Sequence, residues 1–191
     1  EGRSGTPCLR GCVISCSNIF PDPSGKKTVA SIQYENIALL GPNCGIGDLD
    51  DIAELNHLCN EVGVDAIETG AAIGVAMEAG VIPFGDAEGA KDLIRQIGQG
   101  TYLGRILGNG VVITGKVLGI RRVPAIKGQA IPGYDPRALK GNGVTYITSP
   151  MGADHTAGNA FETARTVNPI GKENQVENSR KLQIRAAILD T

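Results

Sequence analysis

Apolar side chains recur every three or four residues through several stretches of this chain and seldom alternate. Over 48–62 the apolar set is Ile52, Leu55, Leu58, Cys59 and Val62, the stripe of one helix face. Asp48 stands where an N-cap acceptor belongs, and Gly63 where a helix stop belongs. Residues 70–80 are nearly all small, which predicts a tightly buried helix. Asp86 opens another helix, with Ala90, Leu93, Ile94 and Ile97 as its stripe and Gly98 and Gly100 as stops. Short helical pieces follow over 103–107 and 111–118. The last periodic stretch covers 173–190, with Val176, Leu182, Ile184, Ala187 and Ile188 in register. Strand-like alternation is best over 28–34. The pattern predicts a mostly α, multihelical chain without internal repeats.

Residues 123–136 hold three prolines and two glycines, so they read as an extended connection. A domain boundary there gives 1–124 and 125–191. Asp135-Pro136-Arg137 then reads as the start of a short helix, Asp as cap and Pro in the first turn. Residues 141–169, rich in Gly, Thr, Asn and Ser, read as loops with a helical turn or two.

The 191 residues suffice for one ordinary domain or two small ones. With 41% hydrophobic and 20% charged residues, the composition is that of a globular protein. A net charge of −2 offers no basic footprint for nucleic acid and no polybasic membrane patch. No apolar run approaches the roughly 20 residues that span a bilayer. There is no Trp and there are three Phe against 27 Gly, so the core has few large anchors. Such a chain is expected to lean on neighbouring structure or a buried cofactor. Glu1-Gly2-Arg3-Ser4 is neither an initiator methionine nor a signal peptide, and the last helical pattern runs into Asp190-Thr191. The expectation is an internal piece of a longer protein.

Five cysteines are an odd number, and Cys8, Cys12 and Cys16 crowd into nine residues. A disulfide framework usually spaces its cysteines more widely, so the crowding favours metal binding in a reducing compartment. Three thiolates can converge on one cluster, and cubane clusters take soft thiolates, typically four. The fourth would come from Cys44, Cys59 or beyond the chain. Zinc and three buried structural cysteines stay open as alternatives at this point.

Further motifs follow in order: Gln33-Tyr34-Glu35-Asn36, Gly41-Pro42-Asn43-Cys44-Gly45-Ile46-Gly47-Asp48-Leu49, and the run from Asn56-His57-Leu58-Cys59 through Asn60-Glu61-Val62-Gly63-Val64-Asp65 to Gly70. Tyr134-Asp135-Pro136-Arg137 and Gly152-Ala153-Asp154-His155-Thr156-Ala157-Gly158 come later. Together with the cysteines, this order resembles the middle of the aldehyde ferredoxin oxidoreductase family, over nearly the whole chain. The resemblance implies parts of that family's two helical domains, a tungsten (or molybdenum) ion between two pterin dithiolenes, and a nearby [4Fe–4S] cluster. It leaves open a Mg2+ ion bridging the pterins.

By the same resemblance, Cys8, Cys12 and Cys16 match three cluster ligands. Many members have two residues between the first and second cysteine, where this chain has three. The family's fourth ligand lies in a D-x-x-G-L-C motif, which here would begin at Asp190. Asn60, Gly63 and Asp65 match a first pterin-binding motif, with Asn for the usual leading Asp and Val for Leu. A helix end with an adjacent carboxylate suits the donor and acceptor edge of a pterin. An ordinary helix C-cap with a solvated Asp is the competing reading.

Glu35 and His155 match the acidic residue and histidine that the family places near the metal, where either could carry a proton. His57 reads as a helix-surface or packing residue, and Asp154 as a group that either orients His155 or is solvated. The implied activity is oxidation of an aldehyde to a carboxylic acid, with ferredoxin or an electron-transfer subunit as partner. The expected location is cytoplasmic, and a homo-oligomer stays open. An iron–sulfur electron carrier without catalysis of its own is the alternative that the cysteines alone would allow.

Overall fold

The computed structural model describes residues 2–7, 10, 11, 15, 17–22, 24, 25 and 27–189, with backbone alone for 27–31. Cys8, Cys12, Cys16 and Asp190 lie outside the described residues. The chain divides into two compact units, Glu1–Val123 and Pro124–Thr191.

In the first unit, β1 (Arg3–Thr6), β2 (Ser17–Pro21) and β3 (Lys27–Ile32) form an antiparallel sheet in the order β1-β2-β3. Six helices follow: α1 (Tyr34–Leu40), α2 (Leu49–Val62), α3 (Ala66–Glu78), α4 (Ala87–Gln99), α5 (Tyr102–Leu107) and α6 (Gly110–Leu118). The ends of α2 and α4 are those the sequence marks, whereas α3 starts at Ala66, ahead of the small-residue run over 70–80, and α1 has no stripe that predicts it. Asp48 accepts from the N–H groups of Asp50 and Asp51, and Asp86 from that of Gly89. Each such cap contributes about 1 kcal/mol by satisfying a donor the helix leaves orphaned.

The unit is built around α3, whose Ala71, Ala72, Ile73, Val75, Ala76 and Met77 are all buried. Small residues let neighbouring helices approach closely. At Gly70 an added Cβ would lie 2.7 Å from the main-chain carbonyl of Leu39 on α1. The sheet joins this core through α2, where Ile32 and Ala53 pack with the partly buried Phe20 and Ile37.

The second unit contains a short hairpin, β4 (Ala125–Ile126) with β5 (Gln129–Ala130), and two helices, α7 (Lys140–Thr148) and α8 (Gln175–Leu189). Single 3-10 turns at His155–Ala157 and Ala160–Thr163 lie between the helices. Among the described residues there are eight α-helices and few strands, the mostly α architecture that the periodicity predicts. None of the helices is long and apolar enough to cross a membrane.

Four local expectations need correction. The run 28–34 is strand only to Ile32, because Tyr34 already begins α1. The connection over 123–136 contains the β4–β5 hairpin. Asp135 starts no helix: its carbonyl accepts from Ala138 and Leu139 to close a turn, and its carboxylate holds the Arg137 guanidinium and N–H. Burial inside α7 is the reason that Gly141–Thr148 is helix and not loop. Thr145 and Tyr146 are fully buried there, and the Thr145 hydroxyl is 2.7 Å from that of Ser179 on α8.

Candidate cofactor site

In the first unit, Glu35 occupies the first turn of α1 and is only 6% exposed. Its neighbour Asn36 donates from its side-chain amide to the amide oxygen of Asn56, a fully buried residue of α2. Asn56 Nδ2 finds no acceptor among the described residues. The α1–α2 contact is therefore a polar interior with hydrogen-bonding capacity to spare.

The same helix α2 ends at Gly63, in left-handed conformation with φ 79°, whose N–H returns to the Cys59 carbonyl at 2.9 Å. Two residues later Asp65 caps α3, its carboxylate accepting from the Glu68 N–H at 2.7 Å. Asn60, Gly63 and Asp65 are all exposed, and a Cβ at Gly63 would meet nothing within 4 Å. Glu68 turns the other way, accepting from the Val111 N–H at the start of α6 at 2.8 Å. The corner between α2 and α3 is thus an open edge with an amide and a carboxylate on it.

Cys44 and Cys59 lie in the core, at 1% and 0% exposure. Cys44 Sγ lies 3.4 Å and 3.5 Å from the carbonyls of Leu39 and Gly70. Burial pushes the Cys44 thiol up to about 11, against a weaker lowering by Asn43. Burial, reinforced by the Asp65 charge, pushes Cys59 up to about 12. Both side chains are packed in the core of the first unit.

In the second unit, His155 opens the 3-10 turn His155–Ala157. Asp154 caps that turn, accepting from both the N–H and the hydroxyl of Thr156 at 2.7 Å. The imidazole stacks on the Tyr134 ring, with centroids 5.1 Å apart and planes 28° apart. It lines a cleft of about 270 Å³ together with Asn159, Glu162, Leu182, Arg185 and Leu189. Arg185 and Glu162 form an ion pair there. The stack is the feature that residue-by-residue reading missed, although the run Tyr134-Asp135-Pro136-Arg137 pointed at the segment.

Glu35, Asn60, Gly63 and Asp65 therefore fall in the first unit, on or beside α1, α2 and α3, and His155 falls in the second. The donor set fits a pterin. An exposed amide and carboxylate flank an open glycine turn.

The amino-acid sequence matches known proteins along most of its length. A family model described as aldehyde ferredoxin oxidoreductase, domains 2 and 3, matches residues 2–191. A tungsten-containing aldehyde ferredoxin oxidoreductase of Pyrococcus horikoshii is 33% identical over 78% of this chain, and that of Pyrococcus furiosus is 31% identical over the same share. An aliphatic sulfonate oxidoreductase, WOR-like subunit, of Pyrococcus furiosus is 27% identical over 77%. The chain spans 27% of the length of each of these relatives. With its helical architecture and a match from residue 2 to residue 191, the chain belongs to the aldehyde ferredoxin oxidoreductase family.

Proposed function

We propose that this chain is the helical, cofactor-covering portion of an oxidoreductase that converts an aldehyde, or a related oxo substrate, to a carboxylic acid. What supports the reading is the family match over residues 2–191, together with the open, polar α2–α3 corner where the pterin-binding motif falls. In balance, aldehyde and water yield the acid, two protons and two electrons. The metal–pterin centre, of tungsten or molybdenum, supplies the two-electron chemistry when bound, and a [4Fe–4S] cluster the one-electron path to ferredoxin or an electron-transfer subunit.

This chain's own residues hold, orient and move protons. Cys8, Cys12 and Cys16 supply three of the cluster's thiolates. Asn60 and Asp65 offer an amide and a carboxylate to the pterin edge, Gly63 keeps that approach free of a side chain, and Asp190 serves the second pterin. Glu35 and His155 are the proton carriers. Glu35 sits in a buried first turn and the partly exposed His155 imidazole lines a cleft, and each is a group able to carry a proton.

The test is aldehyde-dependent reduction of a viologen dye by the full-length protein, purified without oxygen. Turnover with aldehydes supports the proposal. A protein that carries iron and sulfide and exchanges electrons, yet oxidises no aldehyde or oxo substrate, would be an electron carrier instead.

A further inference from the structure

The second unit has a buried polar network that the reaction scheme leaves unused. Tyr146 of α7 is fully buried, and its hydroxyl donates to the Tyr134 carbonyl at 2.9 Å. Asn142, one turn earlier and equally buried, reaches the same carbonyl with Nδ2 at 3.4 Å. Nδ2 also lies 3.2 Å from Asn159 Oδ1, and Asn142 Oδ1 accepts from the Ala160 N–H at 2.6 Å. Asn159 in turn caps Phe161, accepting from its N–H at 3.0 Å.

Helix α7 therefore fixes two chain segments at once, and each carries an aromatic ring. Tyr134 lies against Phe161, with centroids 5.9 Å apart and planes tilted by 54°, and offers its own face to His155. Asp154 Oδ1 caps the turn through the N–H and hydroxyl of Thr156, and the Tyr134 face limits the plane of the imidazole. Aromatic side chains have few rotatable bonds, and a ring whose backbone carbonyl is pinned from the core is a rigid platform.

We propose that Tyr134 is a positioning residue for His155, with Tyr146 and Asn142 as its anchor in the core. The inference rests on the proton-carrying role assigned to His155 above. The geometric component stands or falls without that role, because it concerns how the ring is held. A proton carrier held in one plane meets the reacting atoms in one geometry, so releasing the ring costs rate more than substrate affinity.

The experiment follows modification of the two histidines by diethyl pyrocarbonate, which acylates accessible imidazoles. The full-length protein is used as purified, and peptide mass spectrometry compares His155 with His57 on α2 as internal reference. Tyr134→Ala is expected to make His155 react several-fold faster while His57 is unchanged. Tyr134→Phe, which keeps the ring, recovers most of the protection. Tyr146→Phe, which loses only the hydroxyl that pins the Tyr134 carbonyl, gives an intermediate rate.

In turnover, Tyr134→Ala lowers kcat on the order of tenfold with KM little changed. If Tyr134→Ala unfolds the protein and exposes both histidines, Tyr134→Leu takes its place, filling space without a flat face. Equal modification of His155 in the wild type, Tyr134→Leu and Tyr134→Phe proteins overturns the proposal. Changed modification in a protein without aldehyde turnover would sink the proposed function and leave the positioning role standing.

Discussion

Lys91 shows how single residues hold the first unit together. Its ammonium is buried, 3% exposed, and meets Asp51 at 2.8 Å, Glu54 at 2.7 Å and Glu88 at 2.7 Å. Burial works against the charge, but hydrogen bonds to the three carboxylates outweigh it and hold the pKa above the ordinary lysine value. The same contacts explain why three carboxylates gather there without needing a metal. Lys91→Met leaves them facing one another, and since all three are partly exposed, solvent limits the loss to about 1–3 kcal/mol. Denaturant unfolding of the variant against wild type measures it.

The buried thiols give a second test at this scale. Raised folded-state values mean that Cys44 and Cys59 contribute no pH dependence below about 9, the ordinary thiol value. As pH climbs from there towards about 11 and 12, unfolded chains lose thiol protons that the folded chain keeps, so stability falls. A stability profile from pH 7 to 11 should be flat and then decline. At pH 8 both thiols should resist alkylation until the protein is unfolded, as mass spectrometry of labelled peptides would record.

At the scale of elements, two glycines separate two kinds of constraint. Gly63 ends α2 at φ 79°, in open space, so Gly63→Ala costs conformational strain alone, about 1 kcal/mol. Gly70 lies where α3 meets the α1 backbone at Leu39, so Gly70→Ala must push the helices away from each other. Overpacking of that kind costs about 1–3 kcal/mol, with the upper end expected against main chain. Thermal melts of the two variants should therefore rank Gly70→Ala as the more damaging. Only Gly63→Ala is expected to disturb pterin content more than stability, because the α2–α3 corner is the proposed cofactor edge.

Elements also show where the chain was legible. The stripes and caps of α2 and α4 stand in the sequence because solvent lies on one side and core on the other. Helix α7 does not, since Gly141, Thr145 and Tyr146 are helical through tertiary burial and hydrogen bonds to α8 and Tyr134, against local preference. Helix α1 is seven residues long and follows β3 after Gln33 alone, too short for a periodicity to emerge.

For the molecule as a whole, the family is legible from ordered motifs, while the site is legible only as positions. Asn60, Gly63 and Asp65 share one corner because a helix stop and a helix cap adjoin in sequence. The Tyr134–His155 stack joins positions 21 residues apart through a fold that no spacing encodes. At this scale Glu35→Gln and His155→Ala are each expected to lower aldehyde turnover at least about 100-fold, with bound metal retained. Steady-state kinetics alongside metal content separates that outcome from loss of the cofactor.

The most direct test of the central claim is metal analysis of the full-length protein, purified without oxygen, for tungsten, molybdenum, iron and acid-labile sulfide. The account predicts about four iron and four sulfide with one tungsten or molybdenum per chain. Zinc alone, or no metal at all, would contradict it.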